Sequence, residues 1–274
     1  MHLACNYSAA LTALLEKGAV EVQWIKTYDL DLLQSTPWQV NSQRGILIHK
    51  LPPLGASKEE LQSFPWTKAA GDLEKARSPH TAAHLDFGPD SWPVAVERHY
   101  QSREVTRAMV ERLVSNARWM AARLPVPLHV ENAPYYGESV PRQGYSGAMR
   151  AGCQPEAIWE IVETSGASLL LDIAHARCTA YHLGLDARCY MNALPLSTVR
   201  EIHVSGPRLI DGEGMRDHHY CMAEEDYRLL DWALARTQPD ILTLEYGGVG
   251  DGFEIPERSD VAELEEQLVE LSQR

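Results

Sequence analysis

The sequence predicts one (β/α)8 barrel, a TIM barrel of the α/β class, with residues 1–274 forming a single domain. Three observations predict it. Eight short runs rich in Ile, Leu and Val alternate with longer helical patterns along the 274 residues, and a parallel sheet of that many strands must close or be flanked by others. The length suits such barrels, which run to about 250 residues as one unit. Finally, the segment after the first run, CNYSAAL, is not the GxGxxG turn of an open doubly wound sheet.

The runs that read as strands are 3–6, 20–25, 45–49, 81–85, 128–131, 168–172, 201–204 and 241–245. Each is short, aliphatic and bounded by polar, Gly or Pro residues, as buried parallel strands are. The clearest helix is 102–124, where Val105, Met109, Leu113, Ala117, Met120 and Leu124 recur every three or four residues. Residues 155–164, 223–236 and 260–273 repeat that pattern; the last sets Val261, Leu264, Leu268 and Leu271 opposite a charged face. Residues 137–152 have no apolar period and predict a long loop after the fifth strand. A second loop, 207–219, is rich in Gly and charge and follows the seventh.

Apolar residues make up 45% and charged residues 23% of the chain, which excludes a disordered or collagen-like protein. Lys and Arg number 25 against 38 Asp and Glu, a net charge of −13. Nucleic acid and anionic membranes both need a cationic face, so neither is expected as a partner. The opening MHLACNYSAALTALL has no cationic stretch and is broken by Asn6 and Tyr7, unlike a secretory signal. No run reaches the roughly 18 apolar residues of a membrane span. Five cysteines (Cys5, Cys153, Cys178, Cys189 and Cys221), an odd number without a CxxC pair, read as reduced thiols of a cytoplasmic protein.

Reactive groups of such barrels stand at the C-terminal ends of the strands. Here the third strand ends in His49, the fourth in His84, the fifth in Glu131 and the sixth in Asp172 with His175. The seventh carries His203, its loop adds Asp217, His218 and His219, and the eighth ends in Glu245. One histidine at a strand end is ordinarily a hydrogen-bonded core residue. Six consecutive strands ending in His, Asp or Glu converge on one mouth, where such groups must be paired or bind metal. Imidazole and carboxylate without thiolate suit iron, manganese or zinc. Nine donors (His49, His84, Glu131, Asp172, His175, His203, Asp217, His219 and Glu245) exceed the four to six of one ion. The count therefore implies two or three ions bridged by carboxylates, Glu131 and Asp172 foremost. Of the adjacent His218 and His219, the second is expected inward, two residues from Asp217 in an extended loop. A metal-free network would have to neutralise four carboxylates with imidazolium in a narrow space.

Taken in order, HVENAPYY, LLLDIAHARC, Leu194-Pro195 before VREIHVSG, the step from Asp217 to His219, and TLEYGG resemble the multinuclear non-heme iron-dependent oxidases, also called DUF692, which include the methanobactin-biosynthesis oxidase. The similarity runs from CNYSAAL to the eighth strand, and the order of the motifs carries it. It implies a xylose isomerase-like barrel holding two or three iron ions (Fe2+/Fe3+, with Zn2+ or Mn2+ as alternatives). It further implies an enzyme using dioxygen to modify a residue, Cys first, of a ribosomally made precursor peptide in natural-product biosynthesis. A partner protein that recognises the leader peptide is implied as well. The family's ligand positions fall on the nine donors above. Two departures stand out: Ala82 and Ala83 precede His84 where many members carry an acidic residue and Ser, and Ile173-Ala174-His175 replaces a common Asn-Asn after Asp172.

Under this resemblance Glu131, Asp172, His175 and Asp217 are expected to serve catalysis as well as metal binding. Asn132, Tyr135 and Tyr136 are expected to line the substrate channel, and Arg177 and Arg208 to hold a peptide carboxylate. Three other functions draw on the same donors. An endonuclease IV-like trinuclear zinc phosphodiesterase is opposed by the net charge and the lack of basic, aromatic-bearing loops. A sugar isomerase or epimerase leaves several donors without work. A non-catalytic metal- or peptide-binding accessory protein does not require so complete a set.

Overall fold

The computed structural model describes residues 1–28, 44–87, 103–137, 150–247 and 260–274. Its strands are β1 (His2–Asn6), β2 (Trp24–Thr27), β3 (Gly45–Ile48), β4 (Thr81–His84), β5 (Leu128–Glu131), β6 (Ser168–Asp172), β7 (Val199–Val204), β8 (Gly206–Ile210), β9 (Gly214–Tyr220) and β10 (Ile241–Leu244). Eight of them form one parallel sheet in the order β3-β2-β1-β10-β7-β6-β5-β4, while β8 and β9 pair antiparallel as a separate hairpin. The sheet curls into a nearly closed barrel. Side chains and a loop backbone stitch the seam between β3 and β4: Thr81 Oγ1 donates to the Ile48 carbonyl (2.9 Å), Ile48 N donates to Ser78 Oγ (3.2 Å), and Leu54 N donates to the His84 carbonyl (2.9 Å).

The helices are α1 (Ala9–Lys17), α2 (Lys58–Ser63), α3 (Trp66–Ala76), α4 (Arg103–Ala121), α5 (Arg150–Cys153), α6 (Pro155–Ser165), α7 (Ile173–Leu183), α8 (Ala187–Asn192), α9 (Glu224–Leu234) and α10 (Val261–Leu271). They begin and end where local chemistry directs. Ser8 Oγ accepts from Leu11 N at the start of α1, and Gly18 ends that helix in the left-handed conformation at φ 65°. On α4 the predicted stripe Met109, Leu113, Ala117 and Met120 is fully buried. It packs with the outward strand residues Val130, Leu169, Leu171, Ile202, Val204, Leu242 and Leu244 into one apolar cluster.

The strand period of two sends alternate residues into the barrel. Buried polar side chains stand between those aliphatic residues: Lys26 beside Ile25, His129 and Glu131 around Val130, Glu201 and His203 around Ile202, and Thr243 between Leu242 and Leu244. The apolar core therefore surrounds the sheet, and the upper interior of the barrel is polar.

Three expectations need correction. The second strand lies at Trp24–Thr27, later than 20–25, which brings Lys26 into the sheet opposite Asn6. The segment 207–219 is largely a hairpin: β8 and β9 exchange backbone pairs from Gly206↔Tyr220 to Ile210↔Gly214 around a tight turn. Of the loop 137–152, residues 138–149 lie outside the described residues and the end is the helical turn α5. Ser102, at the start of the predicted long helix, also lies outside them.

Candidate metal centre

The nine sequence-predicted donors meet at one end of the barrel. Glu131 is central and only 1% exposed. Its Oε2 lies 3.2 Å from His49 Nε2 and 3.2 Å from His84 Nε2, and its Oε1 lies 3.5 Å from both His175 Nδ1 and His203 Nδ1. On the other side, Asp217 Oδ2 is 3.3 Å from His175 Nε2 and 3.4 Å from His219 Nε2. Glu245 joins the two, with Oε1 3.4 Å from His203 Nδ1 and Oε2 3.8 Å from His219 Nε2. Ligands bound at about 2.1 Å to one ion lie roughly 3.0–3.4 Å apart, so most of these separations suit donors that share a cation.

Local structure brings each donor there. Strand β6 runs into α7 without a loop, and Asp172 caps the helix: its Oδ1 accepts from His175 N (2.7 Å), leaving Oδ2 free. Asn132 bridges β5 to β6, donating from Nδ2 to the Asp172 carbonyl (2.8 Å) and accepting at Oδ1 from Asp172 N (2.9 Å). Asp217 is held likewise at one oxygen, with Ser205 Oγ (2.7 Å) and His219 N (3.1 Å) both donating to Oδ1. His219 adopts a left-handed φ of 55°, rare for a side chain with a Cβ and found where function over-determines the backbone. The hairpin seats closely because position 206 is glycine: a Cβ there would stand 2.0 Å from the Cys221 carbonyl oxygen.

The imidazoles are oriented from behind. His175 Nδ1–H donates to the Asn132 carbonyl (2.8 Å), and His219 Nδ1–H to the Gly247 carbonyl (2.8 Å), so each presents Nε2 to the centre. His203 does the reverse: Nε2–H donates to Glu201 Oε1 (3.1 Å), leaving Nδ1 forward. Glu201 is itself held by Thr243 Oγ1 (2.5 Å) and His80 Nε2. Such outer partners fix the tautomer and orientation of metal-binding histidines.

Four inward atoms, His49 Nε2, Glu131 Oε2, Asp172 Oδ2 and His203 Nδ1, are buried with no hydrogen-bond partner. Buried polar atoms are ordinarily paired; here His49, Glu131 and His203 lie close together, as do Glu131, Asp172 and His203. Their electrostatics agree. Burial opposes a charge on Glu131, yet His84, His203 and His49 hold its carboxyl well below the usual range. Burial likewise opposes the His203 imidazolium, but Glu245, Glu201 and Glu131 push it up to about 10. Against the same opposition Asp217 raises His219 to about 9, and Asp172 and Asp217 raise His175 well above its ordinary value. Burial dominates at Asp172 and raises its carboxyl. It also lowers His49, assisted by the Lys26 charge. In the metal-free protein, protons thus stand in for the cations that this donor set suits.

The sequence model describing the RiPP precursor modification enzymes MbnB/TglH/ChrH matches residues 54–267. The chain belongs to this family. RiPPs are ribosomally made, post-translationally modified peptides. A UPF0276 protein of Bordetella pertussis is 35% identical over 100 residues, covering 35% of each chain. One from Streptomyces avermitilis is 27% identical over 144 residues, covering 51% of this chain and 27% of that protein. The matches thus span about a third of these curated relatives or less. Among solved structures, a xylose isomerase-like TIM barrel/4-hydroxyphenylpyruvate dioxygenase fusion protein superposes with a TM-score of 0.60 at 13% identity, covering 96% of this chain and 41% of that one. D-psicose 3-epimerase superposes at 0.54 and 14% identity, covering 100% and 98%. The TTHB071 protein of Thermus thermophilus, soaked with ZnCl2, gives 0.53 and 16%, covering 98% of each. At these identities they show the barrel fold alone.

Within this MbnB/TglH/ChrH family member, the residues expected to contact substrate have other occupations. Both polar ends of the Asn132 side chain are used on the Asp172 backbone. Tyr135 is buried against Ala133, Cys153 and Leu183. Arg177 pairs with Asp226. Arg208 donates to the carbonyls of Pro207 and Cys221. His218 lies edge-on to Tyr220, with ring centroids 6.3 Å apart. Sequence reasoning missed Asn6, Lys26, Asp86 and Glu201. Asn6 has both side-chain polar atoms buried and unpaired at the end of β1. Lys26 is buried on Glu245. Asp86 follows His84, and burial pushes its carboxyl up to about 7 against the pull of His84 and His175. The signal for Glu201 was present: it lies two residues before His203 on one strand, hence on the same face.

Proposed function

We propose that this protein is an iron- and dioxygen-dependent enzyme that oxidatively modifies a residue, Cys first, of a ribosomally made precursor peptide. The observation that carries the reading is the set of four buried donor atoms without a hydrogen bond, His49 Nε2, Glu131 Oε2, Asp172 Oδ2 and His203 Nδ1, in a member of a peptide-modifying family. His49, His84, Glu131, Asp172, His175, His203, Asp217, His219 and Glu245 would hold the ions. Iron bound there supplies a redox-active Lewis acid able to take dioxygen and a thiolate. The protein's own residues do the rest. Glu201, Asn132 and Gly247 keep the imidazoles aimed at the centre. His84 and His219, whose side chains are 40% and 27% exposed beside a Glu131 at 1%, mark the side from which a peptide would enter. A leader-recognising partner protein is part of the proposal.

The test is anaerobic loading with ferrous iron, then air, with a Cys-containing precursor peptide encoded beside the gene. The reading expects oxygen uptake and a changed peptide mass in proportion. Iron-independent turnover, or zinc-dependent cleavage of a phosphodiester, would overturn it.

A further inference from the structure

Arg216 stands on β9 between Met215 and Asp217 and is wholly buried, at 0% exposure. Strand alternation turns it to the face opposite Asp217, and β9 packs on α7. Its Nε donates to Glu213 Oε2 (3.1 Å), a carboxylate whose side chain is 42% exposed. Its terminal nitrogens, Nη1 and Nη2, are buried without a hydrogen-bond partner. The Tyr136 ring covers one face of the guanidinium, its centroid 4.2 Å from Cζ. Cys178 and His182 of α7 feel the same charge. The Tyr136 side chain is hydrogen-bonded to the Asp217 backbone, so this pocket adjoins the metal centre across one strand.

A guanidinium stays charged throughout the physiological range and offers its N–H donors as a rigid planar fork. Buried donors left without acceptors cost free energy, and a buried charge costs more. The Tyr136 ring satisfies neither terminal nitrogen, because stacking uses the face of the guanidinium while its N–H bonds lie in the plane. Glu213 hydrogen-bonds at Nε and is shared with solvent. What is left is the edge between Nη1 and Nη2, which matches the paired oxygens of a carboxylate. Arg177 and Arg208, the arginines expected to take that role, spend their donors on Asp226 and on backbone carbonyls. Tyr136, His182 and Glu213 are each half-buried, which puts the pocket one side chain below the surface.

We propose that Arg216 is a substrate-binding residue whose Nη1 and Nη2 hold a carboxylate of the peptide in a bidentate contact, with Tyr136 as the wall of the pocket. The proposal rests on the peptide-modifying reading above, but its test needs neither metal nor turnover. The metal-free full chain is titrated calorimetrically with N-acetyl-glycylcysteine, with the C-terminal amide of that peptide, and with the C-terminal amide of N-acetyl-aspartylcysteine. Wild type binds one of the two acids about 10–100-fold more tightly than the neutral amide. The first acid marks the terminal carboxylate as the ligand, the second a side-chain carboxylate. Arg216→Lys, which keeps the charge without the fork, loses most of that preference, and Arg216→Met loses all of it. Stability separates this role from a structural one. With the unpaired donors removed, Arg216→Met unfolds at the same urea concentration as wild type or a higher one; a lower midpoint, or failure to fold, marks a clamp between hairpin and helix and overturns the proposal. Equal binding of all three peptides by wild type, a preference kept in Arg216→Met, or acetate bound as tightly as either acid overturns it too, and each leaves the metal centre and peptide oxidation standing. A preference that depends on Arg216, in a chain that takes up no oxygen with its precursor, keeps the carboxylate site and ends only the oxidative reading.

Discussion

Glu201 is the residue whose removal tests most sharply how the centre is held. It touches no substrate-facing space: at 2% exposure it accepts from His203 Nε2 at 3.1 Å and from Thr243 Oγ1 at 2.5 Å, and its other oxygen pairs with His80. By tying Nε2–H it leaves His203 Nδ1 as the forward donor. Loss of such an outer partner typically lowers metal affinity about 10–100-fold, or about 1.4–2.7 kcal/mol. Glu201→Gln keeps an acceptor for His203 and should lose about 10-fold; Glu201→Ala should lose closer to 100-fold. The alanine variant also strands His80 and the Thr243 hydroxyl, and breaking a buried pair costs about 3–5 kcal/mol, so each variant's fold is checked by circular dichroism. Affinity is read by competition with a zinc-responsive chelating dye. In a His203→Ala background the Glu201→Gln effect should shrink below about twofold, because the group it positions is gone. Equal losses in both backgrounds would refute the positioning argument and leave Glu201 as a packing residue.

Other outcomes follow from the same geometry. Glu131→Ala removes the carboxylate that His49, His84 and His203 face, so metal content and turnover should fall together; wild-type metal content in that variant would disprove its central role. His203 and His219 bind protons more tightly folded, at about 10 and 9, than at the unfolded value near 6.5. The stability they add to the metal-free chain is therefore complete below about pH 6.5 and lost as the pH rises through 9 and 10. Urea midpoints of metal-free protein should fall over that window and those of loaded protein much less; a metal-free midpoint that rises would contradict the assignment. Gly206→Ala forces a Cβ to within 2.0 Å of the Cys221 carbonyl oxygen, displacing the hairpin that carries Asp217 and His219. Weakened metal retention with the barrel's circular dichroism intact is expected, and unchanged retention would show that the hairpin absorbs the clash.

The barrel was legible because its strands are short aliphatic runs whose ends are punctuated by chemistry. For β5 and β6 the predicted bounds coincide with the observed Leu128–Glu131 and Ser168–Asp172. That the nine predicted side chains come together was legible for the same reason, since strand ends of a barrel share one mouth. Contacts set by partners distant in sequence were not legible. Reading the second strand as 20–25 stopped it one residue before Lys26, and a lysine at a strand end ordinarily reads as solvated; only Glu245, at the other end of the chain, explains its burial. The hairpin β8–β9 reads as a loop in the sequence because its glycines and charges mask backbone pairing. Helix α7 went unnoticed as a helix because Ile173, Ala174, His175, Ala176, Cys178, Thr179 and Ala180 are all buried, which erases the one-sided period that marks a surface helix. The substrate contacts assigned to Asn132, Arg177 and Arg208 rested on proximity to the motifs. Proximity cannot show that those side chains spend their hydrogen bonds on the protein itself.

Diffraction at the iron absorption edge, from crystals grown anaerobically with ferrous salt, bears most directly on the centre. The account predicts two or three anomalous peaks among His49, His84, Glu131, Asp172, His175, His203, Asp217, His219 and Glu245, with donors at about 2.0–2.2 Å. A mouth with no peak, and imidazoles turned away from one another, would contradict it.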